Sequence, residues 1–253
     1  YYIRGGKTNQ VLIVIDGIPV TDASGINLEY DLRLLPANQV ESIEIMKGAA
    51  STLYGSGAAT AVINITLKKA AKKTIEANGY WNLGTYNTAS TSKKEPQDYN
   101  QGFSIGGSLK KFNYLATLNS TETSGMSQIA EPNENVTYEE DRFSRINYLA
   151  KMGYKATDKL TLDFFGSYDK INNDYDGSFD NTGKNDITQN QSDSKQFRAG
   201  FLPKYKYNNG EFVLNSSYNS IQRLYNELDT YSQKMGLSVY DSRSVNVDTY
   251  NKY

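Results

Sequence analysis

The sequence contains no cysteine and no histidine in its 253 residues. Without cysteine the chain has no disulfide framework and no thiolate chemistry, and without histidine it lacks the commonest metal ligand and general base. Its 27 Lys and Arg residues nearly balance its 28 Asp and Glu residues, which gives a formal net charge of −1. A chain with this balance lacks the excess of positive charge that is typical of nucleic-acid-binding proteins, so we expect no nucleic-acid partner.

Long apolar runs are also missing. The mean hydropathy is −0.62, and no segment approaches the roughly 20 apolar residues of a membrane-spanning helix. A membrane β-barrel is still allowed, because its lipid face is formed by every second residue of each strand. The 21 tyrosines point in that direction, since aromatic side chains with a polar tip concentrate at membrane interfaces and in barrel girdles.

The first seventy residues carry three strand signals joined by turn residues. Val11–Ile15 is a continuous apolar run that ends at the turn pair Asp16-Gly17. A second strand signal starts at Val40 and stops at Gly48, and a β-branched strand covers Ala61–Leu67. The segment between the last two strands is rich in Ala, Ser and Gly, which permits close backbone packing. These signals predict a small folded unit.

Five sequence blocks in this region follow one another in a recognisable order. They are Ile3-Arg4-Gly5, VLIVIDGIPV, VESIEIMKG, STLYGSGA and AVINITLK. Together they resemble the plug domain of TonB-dependent outer-membrane transporters. The chain departs from the family pattern at Ala49, where the family usually has proline, and at Thr60-Ala61, where it usually has two glycines. The resemblance implies a small mixed α+β plug inside a transmembrane antiparallel β-barrel of about 22 strands in the full protein.

From residue 74 onward, apolar and polar residues alternate, which predicts antiparallel strands. Aromatic and aliphatic residues share one parity, and the other parity carries Arg145, Lys151, Arg198 and Lys204. A Lys or Arg that faces lipid near mid-membrane costs roughly 2–4 kcal/mol, so the polar parity is predicted to face the lumen. Some large apolar residues break this alternation: Leu115, Leu149, Phe165, Leu202 and Val213. A soluble antiparallel sandwich can also alternate, so the pattern alone leaves both options open.

The connections between the predicted strands alternate between short and long. Tight turns are predicted at 110–111, 156–158 and 208–210, and long polar stretches at about 84–98, 125–140, 171–194 and 226–241. This asymmetry is typical of outer-membrane barrels, which have short periplasmic turns and longer extracellular loops. Seven or eight strands fit. A closed barrel of about 8 strands would have no room for a plug, so we expect an open arc of a wider barrel.

Two regions follow from these patterns. Residues 1–73 are predicted to be the C-terminal part of the plug, ending in a solvated lysine-rich linker at 68–73, and residues 74–253 to be the first arc of the barrel. We expect the sequence to be a segment of a longer chain, because residue 253 falls within an alternating stretch.

The resemblance also assigns candidate site residues. The loop after the Asp-Gly strand touches ligand in the family, and aromatic residues in or near the long loops are further candidates. The set is Asp22, Ala23, Ser24, Gly25, Ile26, Asn27, Tyr86, Tyr99 and Tyr175. Cations after plug strands pair with barrel carboxylates in the family, which assigns a plug–barrel tether role to Arg4 and Lys47. Ordinary loop packing and a solvated plug face are the alternatives.

A weak Ca²⁺ site is a further hypothesis. Asn172, Asp174 and Asp176, with Asp180 nearby, resemble the first half of a calcium loop. The bidentate Glu expected at position twelve of that loop is absent, since Gly183 stands there. A solvated Asp/Asn/Gly turn is the alternative, and no other cofactor is expected.

The leading functional hypothesis is an active transporter of the bacterial outer membrane that makes and breaks no covalent bond. By resemblance its ligand is a scarce siderophore, cobalamin, glycan or peptide. Its implied partners are a TonB-type periplasmic energy transducer, the lipid of the outer membrane and, in some relatives, a surface lipoprotein. One alternative is a passive barrel or adhesin. A secreted hydrolase that uses Asp163 and Asp169 is disfavoured, because six strand positions separate the two carboxylates by roughly 20 Å.

Overall fold

The computed structural model describes residues 2–3, 5–25, 28–48, 57–86, 95–127, 129, 138–177, 179–180, 183–184, 189–229 and 231–253. Within these residues the chain forms two main sheets. Arg4, Ile26, Asn27 and most of the STLYGSGA block lie outside the described residues.

The first sheet is the plug. It has four strands in the order β2-β1-β4-β3. Their bounds are Val11–Ile15 (β1), Ile18–Val20 (β2), Val40–Lys47 (β3) and Ala61–Leu67 (β4). Strand β1 runs parallel to β4 and antiparallel to β2, and β3 runs antiparallel to β4. The three strand signals in the sequence are therefore confirmed.

Apolar residues place β1 at the centre of this sheet. All five of its side chains are buried, as expected for a strand covered on both faces. Asp16 and Gly17 both have positive φ, 51° and 83°, and they form the two-residue turn that pairs Ile15 with Ile18. The Asp16 Oδ1 atom also accepts a 2.9 Å hydrogen bond from the backbone N–H of Leu67, which ties the turn to the end of β4.

The rest of the described plug consists of short turns. The 3-10 helices cover Thr8–Gln10, Leu32–Leu34 and Ala37–Gln39. The resemblance implies a mixed α+β plug. In the part that the structure describes, the plug consists of strands and 3-10 turns. No helix in that part is long and apolar enough to cross a membrane.

The second sheet is the wall. Its eight strands follow the order β14-β13-β12-β9-β8-β7-β6-β5, and every neighbouring pair is antiparallel. The bounds are Glu76–Gly84 (β5), Asp98–Leu109 (β6), Phe112–Thr123 (β7), Phe143–Lys155 (β8), Leu160–Asp174 (β9), Gln191–Tyr207 (β12), Gly210–Asp229 (β13) and Lys234–Lys252 (β14). A short hairpin, Phe179–Asp180 (β10) with Gly183–Lys184 (β11), lies between β9 and β12. Strands β5 and β14 end the sheet at opposite edges, so it forms an open arc.

The predicted parity of the wall is confirmed. Large apolar side chains on one face are exposed, as a lipid face requires: Phe103, Leu118, Tyr148, Met152, Phe164, Phe197, Tyr218, Val245 and Val247. The opposite face carries the four cations that the sequence assigns to the lumen. Of these, Arg198 is buried and donates a 3.2 Å hydrogen bond to Ser167 Oγ, and Lys204 pairs with Asp163 at 2.9 Å.

Packing against the plug explains why apolar residues break the alternation on the inner face of the wall. Leu149 is 2% exposed and belongs to the same buried cluster as the plug strands β1 and β4. Ile171, on the neighbouring strand, belongs to it as well. Leu115 and Val213 are also buried on the inner face. The inner face of the wall is therefore polar except at buried positions such as these.

One predicted connection is wrong. The stretch 226–241 is not a long loop, because β13 continues to Asp229 and β14 begins at Lys234. The Asp229 carboxylate closes this hairpin by accepting backbone hydrogen bonds from Tyr231 and Ser232 at 2.9 and 3.2 Å. Strands of about 9–11 residues suffice to cross a membrane, whereas β13 has 20 residues. Its outer end extends past the bilayer, so it no longer needs apolar alternation and is misread as a loop.

Candidate functional site

The plug packs against the inner face of the wall, and its carboxylates meet cations of the wall. At the β1–β2 turn, Asp16 Oδ2 lies 2.6 Å from Lys151 Nζ of β8. Lys151 Nζ also donates a 3.2 Å hydrogen bond to the carbonyl oxygen of Lys68. One wall lysine thus holds the plug turn and the end of the plug together.

A second ionic contact involves two plug carboxylates and one wall guanidinium. Arg223 of β13 pairs with Asp22, which is fully buried, and its Nη1 atom lies 4.0 Å from Asp31 Oδ2. Burial alone would raise the pKa of the Asp31 carboxyl, but the hydrogen bonds and charge of Arg33 outweigh it and hold this pKa below its usual value. Asp31 therefore stays ionised and able to attract Arg223 near neutral pH.

Hydrogen bonds made without a cation also join the plug to the wall. Gln39 Nε2 of the plug donates to Thr117 Oγ1 of β7 at 2.9 Å. Asn147 Nδ2 of β8 donates to the carbonyl oxygen of Leu34 at 2.8 Å, and to the carboxylate of Asp169 at 2.7 Å. Polar contacts of this kind can be exchanged for water, so they hold the plug without sealing it permanently to the wall.

Tyr30 forms another buried polar contact of this interface. It is 1% exposed, and its hydroxyl donates a 3.0 Å hydrogen bond to Gln196 Oε1 of β12. Gln196 Nε2 in turn donates to Asn219 Oδ1 of β13 at 2.8 Å. Burial raises the pKa of Tyr30 to about 12, so the phenol remains a neutral donor at physiological pH.

A cavity of about 700 Å³ lies at the long-loop ends of the wall strands. Its lining is mostly amide, hydroxyl and charged side chains. Charged members are Glu122, Arg142, Asp174 and Asp193, and aromatic members are Tyr99 and Phe143. Arg142 pairs with Asp174 at 3.3 Å, so these two charges of the lining offset each other. The cavity is large enough for a small ligand.

The predicted ligand-contact residues occupy different places around this cavity. Tyr99 lines it directly, and Tyr86 lies beside it, because its hydroxyl oxygen accepts a 3.2 Å hydrogen bond from Thr123 Oγ1. Tyr175 donates a 2.7 Å hydrogen bond to Glu227 on the same edge of the wall. The structure thus brings these three tyrosines to the long-loop edge, and ligand contact by each stays a prediction.

The predicted plug loop is organised around its first acidic residue. Asp22 Oδ1 accepts hydrogen bonds from both the backbone N–H and the hydroxyl of Ser24. Asp22 is buried against Arg223, and it anchors the loop to the wall through this ion pair. In contrast, Ala23 is exposed and Gly25 is half-buried. Ligand contact by this loop stays a prediction, with Ala23 the most accessible of its described residues. Ile26 and Asn27 lie outside the described part.

The predicted tether residues are not tested by the described contacts. Arg4 lies outside the described residues, and Lys47 lies exposed at the end of β3, where Ile43 and Ile45 are exposed too. Their tether role stays a prediction. The contacts that do join plug and wall have the opposite polarity, with carboxylates on the plug and cations on the wall.

The calcium hypothesis is likewise untested. Asn172 donates a 2.7 Å hydrogen bond to Asp193, and Asp174 is paired with Arg142. Asp176 is buried, and the side chain of Asp180 lies outside the described part. Among the described residues no three acidic side chains are grouped as metal ligands.

Each acid of the disfavoured hydrolase pair has a separate partner. Asp163 pairs with Lys204, whereas Asp169 is buried and accepts a hydrogen bond from Asn147. The two residues lie six positions apart on β9, and their cross-strand neighbours on β12 are Leu202 and Gln196, respectively.

Comparisons with known proteins agree with this architecture. A family model described as the TonB-dependent Receptor Plug Domain matches residues 1–62. The ferric enterobactin receptor of Pseudomonas aeruginosa is 33% identical over 115 residues, which cover 42% of this chain and 15% of the relative. Residues 1–62 therefore carry the plug domain of TonB-dependent receptors, and the chain is similar in sequence to members of that family. Its eight-stranded sheet corresponds to a segment of outer-membrane barrel wall.

A vitamin transporter and a siderophore receptor are similar to the chain as well. The vitamin B12 transporter BtuB of Vibrio vulnificus is 38% identical over 65 residues, 25% of this chain and 10% of that protein. The crystal structure of the siderophore receptor PirA from Acinetobacter baumannii superposes with a TM-score of 0.74 at 20% identity, covering 98% of this chain and 38% of that one. The chain thus spans a minor part of the length of these relatives.

Sequence reasoning missed the ionic partners of the plug. Parity predicts that Lys151 lies on the inner face, but nothing in the local sequence identifies Asp16 as its partner. Arg223 could have been found by extending the parity of Asn219 along β13, since both are inward-facing odd positions.

Proposed function

We propose that this chain is part of an active transporter that takes up a scarce extracellular ligand through its plugged barrel. The observation that carries the proposal is a folded plug bound to the inner face of an open barrel wall. A passive pore or an adhesin has no need of a plug, because the plug blocks the lumen and contributes nothing to surface adhesion.

The contacts of the plug suit a part that moves and returns. Transport requires the plug to separate from the wall or to rearrange beside it, so Asp16–Lys151 and Gln39–Thr117 must exchange partners with water. Ion pairs that water can reach contribute only about 0–1 kcal/mol each. Arg223 holds the buried Asp22 more firmly, and we assign it the role of keeping the ligand-side loop in place until an external force acts. A TonB-type periplasmic transducer is the proposed source of that force.

A metal chelate is the ligand class that we propose, with ferric siderophores first and cobalamin second. The relatives named above are receptors for ferric enterobactin, an unspecified siderophore and vitamin B12, which supports this class. Such ligands bring their own metal-binding groups, so a chain without histidine can bind them. The cavity near Tyr99 offers hydrogen-bonding groups to their polar surface.

Uptake in cells tests the proposal. We expect cells that express the full-length receptor to accumulate radiolabelled ferric siderophore or cobalamin, and to lose accumulation when the proton gradient is dissipated. Surface binding of the ligand should persist, because binding needs no energy input. Uptake that continues at an unchanged rate without the gradient would show a passive barrel. Binding with no uptake under any condition would show an adhesin or anchor.

A further inference from the structure

The short-connection edge of the wall carries a row of lysines. We call this set the basic rim: Lys72, Lys73, Lys110, Lys111, Lys155, Lys159, Lys206 and Lys252. The acidic residues at the same edge are fewer, namely Glu76, Asp158 and Glu211. The edge as a whole is therefore strongly positive, although the formal net charge of the chain is −1.

Backbone hydrogen bonds place these lysines next to one another. The N–H of Lys155 donates to the carbonyl of Lys111 at 2.7 Å, and the N–H of Lys206 donates to the carbonyl of Lys159 at 2.8 Å. Lys252 lies opposite Glu211 in the ladder between β13 and β14. The lysines thus follow the edge from strand to strand and are not scattered over the surface.

The linker between plug and wall is fixed on this edge as well. The N–H and hydroxyl of Ser108 donate to the carbonyl oxygens of Lys73 and Ala71, each at 2.8 Å. A Cβ at Gly107 would lie 2.0 Å from the carbonyl oxygen of Thr74, so only glycine lets the linker cross so closely. The sequence favours a solvated linker at 68–73, but in the structure its backbone is bound beside the 110–111 turn.

Few of these charges are neutralised. Lys155 pairs with Asp158 at 2.8 Å and Lys73 with Glu76 at 3.7 Å, and in both pairs the side chains are well exposed. Exposed pairs of this kind are weak. Within the described part of the chain, six rim ammonium groups form no ion pair: Lys72, Lys110, Lys111, Lys159, Lys206 and Lys252.

Aromatic residues border the rim on the lipid face. Phe112, Tyr154, Tyr205 and Phe212 are exposed there, and Phe112 stacks with Tyr114 at a ring-centroid distance of 6.1 Å. Aromatic girdles mark the level at which a bilayer changes from acyl chains to headgroups. The lysines of the rim therefore lie at headgroup level, directly beyond the apolar band.

We propose that the basic rim binds the phosphate groups of anionic phospholipids in the periplasmic leaflet. Short connections lie on the periplasmic side of outer-membrane barrels, which places the rim at that leaflet. Lysines near an anionic membrane surface attract its headgroups, and the attraction grows with their number. The aromatic border can pack on the acyl chains while the ammonium groups bind the phosphates, so a lipid fits this surface better than a free phosphate does.

Spin-labelled lipids test this inference on the full-length receptor in bilayers. We expect labelled phosphatidylglycerol to associate with the protein at least about threefold more strongly than labelled phosphatidylcholine at low salt, because several lysines act together. The preference should fall toward one at high salt. The fourfold variant K110Q/K111Q/K159Q/K206Q should lose it at low salt as well.

Two controls make the result decisive. The variant K110R/K111R/K159R/K206R keeps the charge and should keep the preference, and Lys234→Gln removes a lysine from the opposite edge and should change nothing. Heat-modified gel migration reports whether each variant folds. The inference fails if the native receptor shows no phosphatidylglycerol preference, or if the four-glutamine variant retains it. Loss in the arginine variant would also overturn it, since charge would then not be the cause.

Discussion

Replacing Arg223 with methionine will loosen the ligand-side loop of the plug, at a cost of about 3–5 kcal/mol in plug–wall docking. The reason is the burial of its partners. The side chain of Asp22 is 1% exposed and that of Asp31 is 11% exposed. Methionine keeps most of the side-chain volume but leaves the Asp22 carboxylate in a buried site with no cation beside it.

Amide hydrogen exchange in the full-length receptor measures this effect. We expect exchange of residues 21–25 and 28–35 to accelerate roughly 100-fold or more, since each 1.4 kcal/mol is a factor of ten. The matched control is Arg243→Met, which removes a guanidinium from an exposed position on β14. Asp22→Asn in the Arg223→Met background should recover part of the protection, because it removes the unpaired charge. Unchanged exchange in Arg223→Met would show that the loop is held by other contacts.

Truncating Leu149 to alanine should weaken the same docking by about 2–5 kcal/mol, the usual cost of a buried Leu→Ala change. Leu149 projects from the wall into the buried cluster that contains Ile13, Leu34 and Ile65 of the plug. The cavity left behind lies between the plug and the wall, so the plug should lose stability while the barrel keeps its own.

Denaturant titration of the full-length receptor, followed by probes on the plug and on the wall, separates these two effects. The plug signal of Leu149→Ala should shift to lower denaturant, and the wall signal should not move. Tyr148→Ala is the matched control, because the neighbouring Tyr148 side chain is 45% exposed on the lipid face. Equal shifts of both signals, or none, would contradict the packing of Leu149 against the plug.

Much of the wall could be predicted from the sequence because a membrane strand obeys a local rule. Each residue faces either lipid or lumen, and the cost of a cation in lipid fixes the parity without any long-range information. The inward positions of Lys151, Arg198 and Lys204 follow from this rule alone. It stops working where a strand leaves the bilayer, which is why the outer end of β13 is misread as a loop.

The contacts between plug and wall could not be predicted in the same way. Asp16 and Lys151 are separated by 135 positions, and Asp22 and Arg223 by 201, so their pairing depends on how the two sheets pack. The resemblance assigns tether cations to the plug, whereas the described ion pairs use plug carboxylates and wall cations. The apolar exceptions at Leu149 and Leu115 carried the relevant signal: large apolar residues on a polar parity indicate a second packed body inside the barrel.

A cross-link between the plug and the wall tests directly whether the plug must move during transport. Gln39 Nε2 and Thr117 Oγ1 lie 2.9 Å apart, so cysteines at these two positions lie within reach of a short, cleavable thiol cross-linker. The control pair Ser104→Cys with Thr117→Cys joins facing residues within the wall. We predict that the plug–wall cross-link abolishes energised uptake while ligand still binds, that cleavage restores uptake, and that the control pair transports normally. Uptake at the native rate with the plug cross-linked to the wall would contradict a transport mechanism that moves the plug.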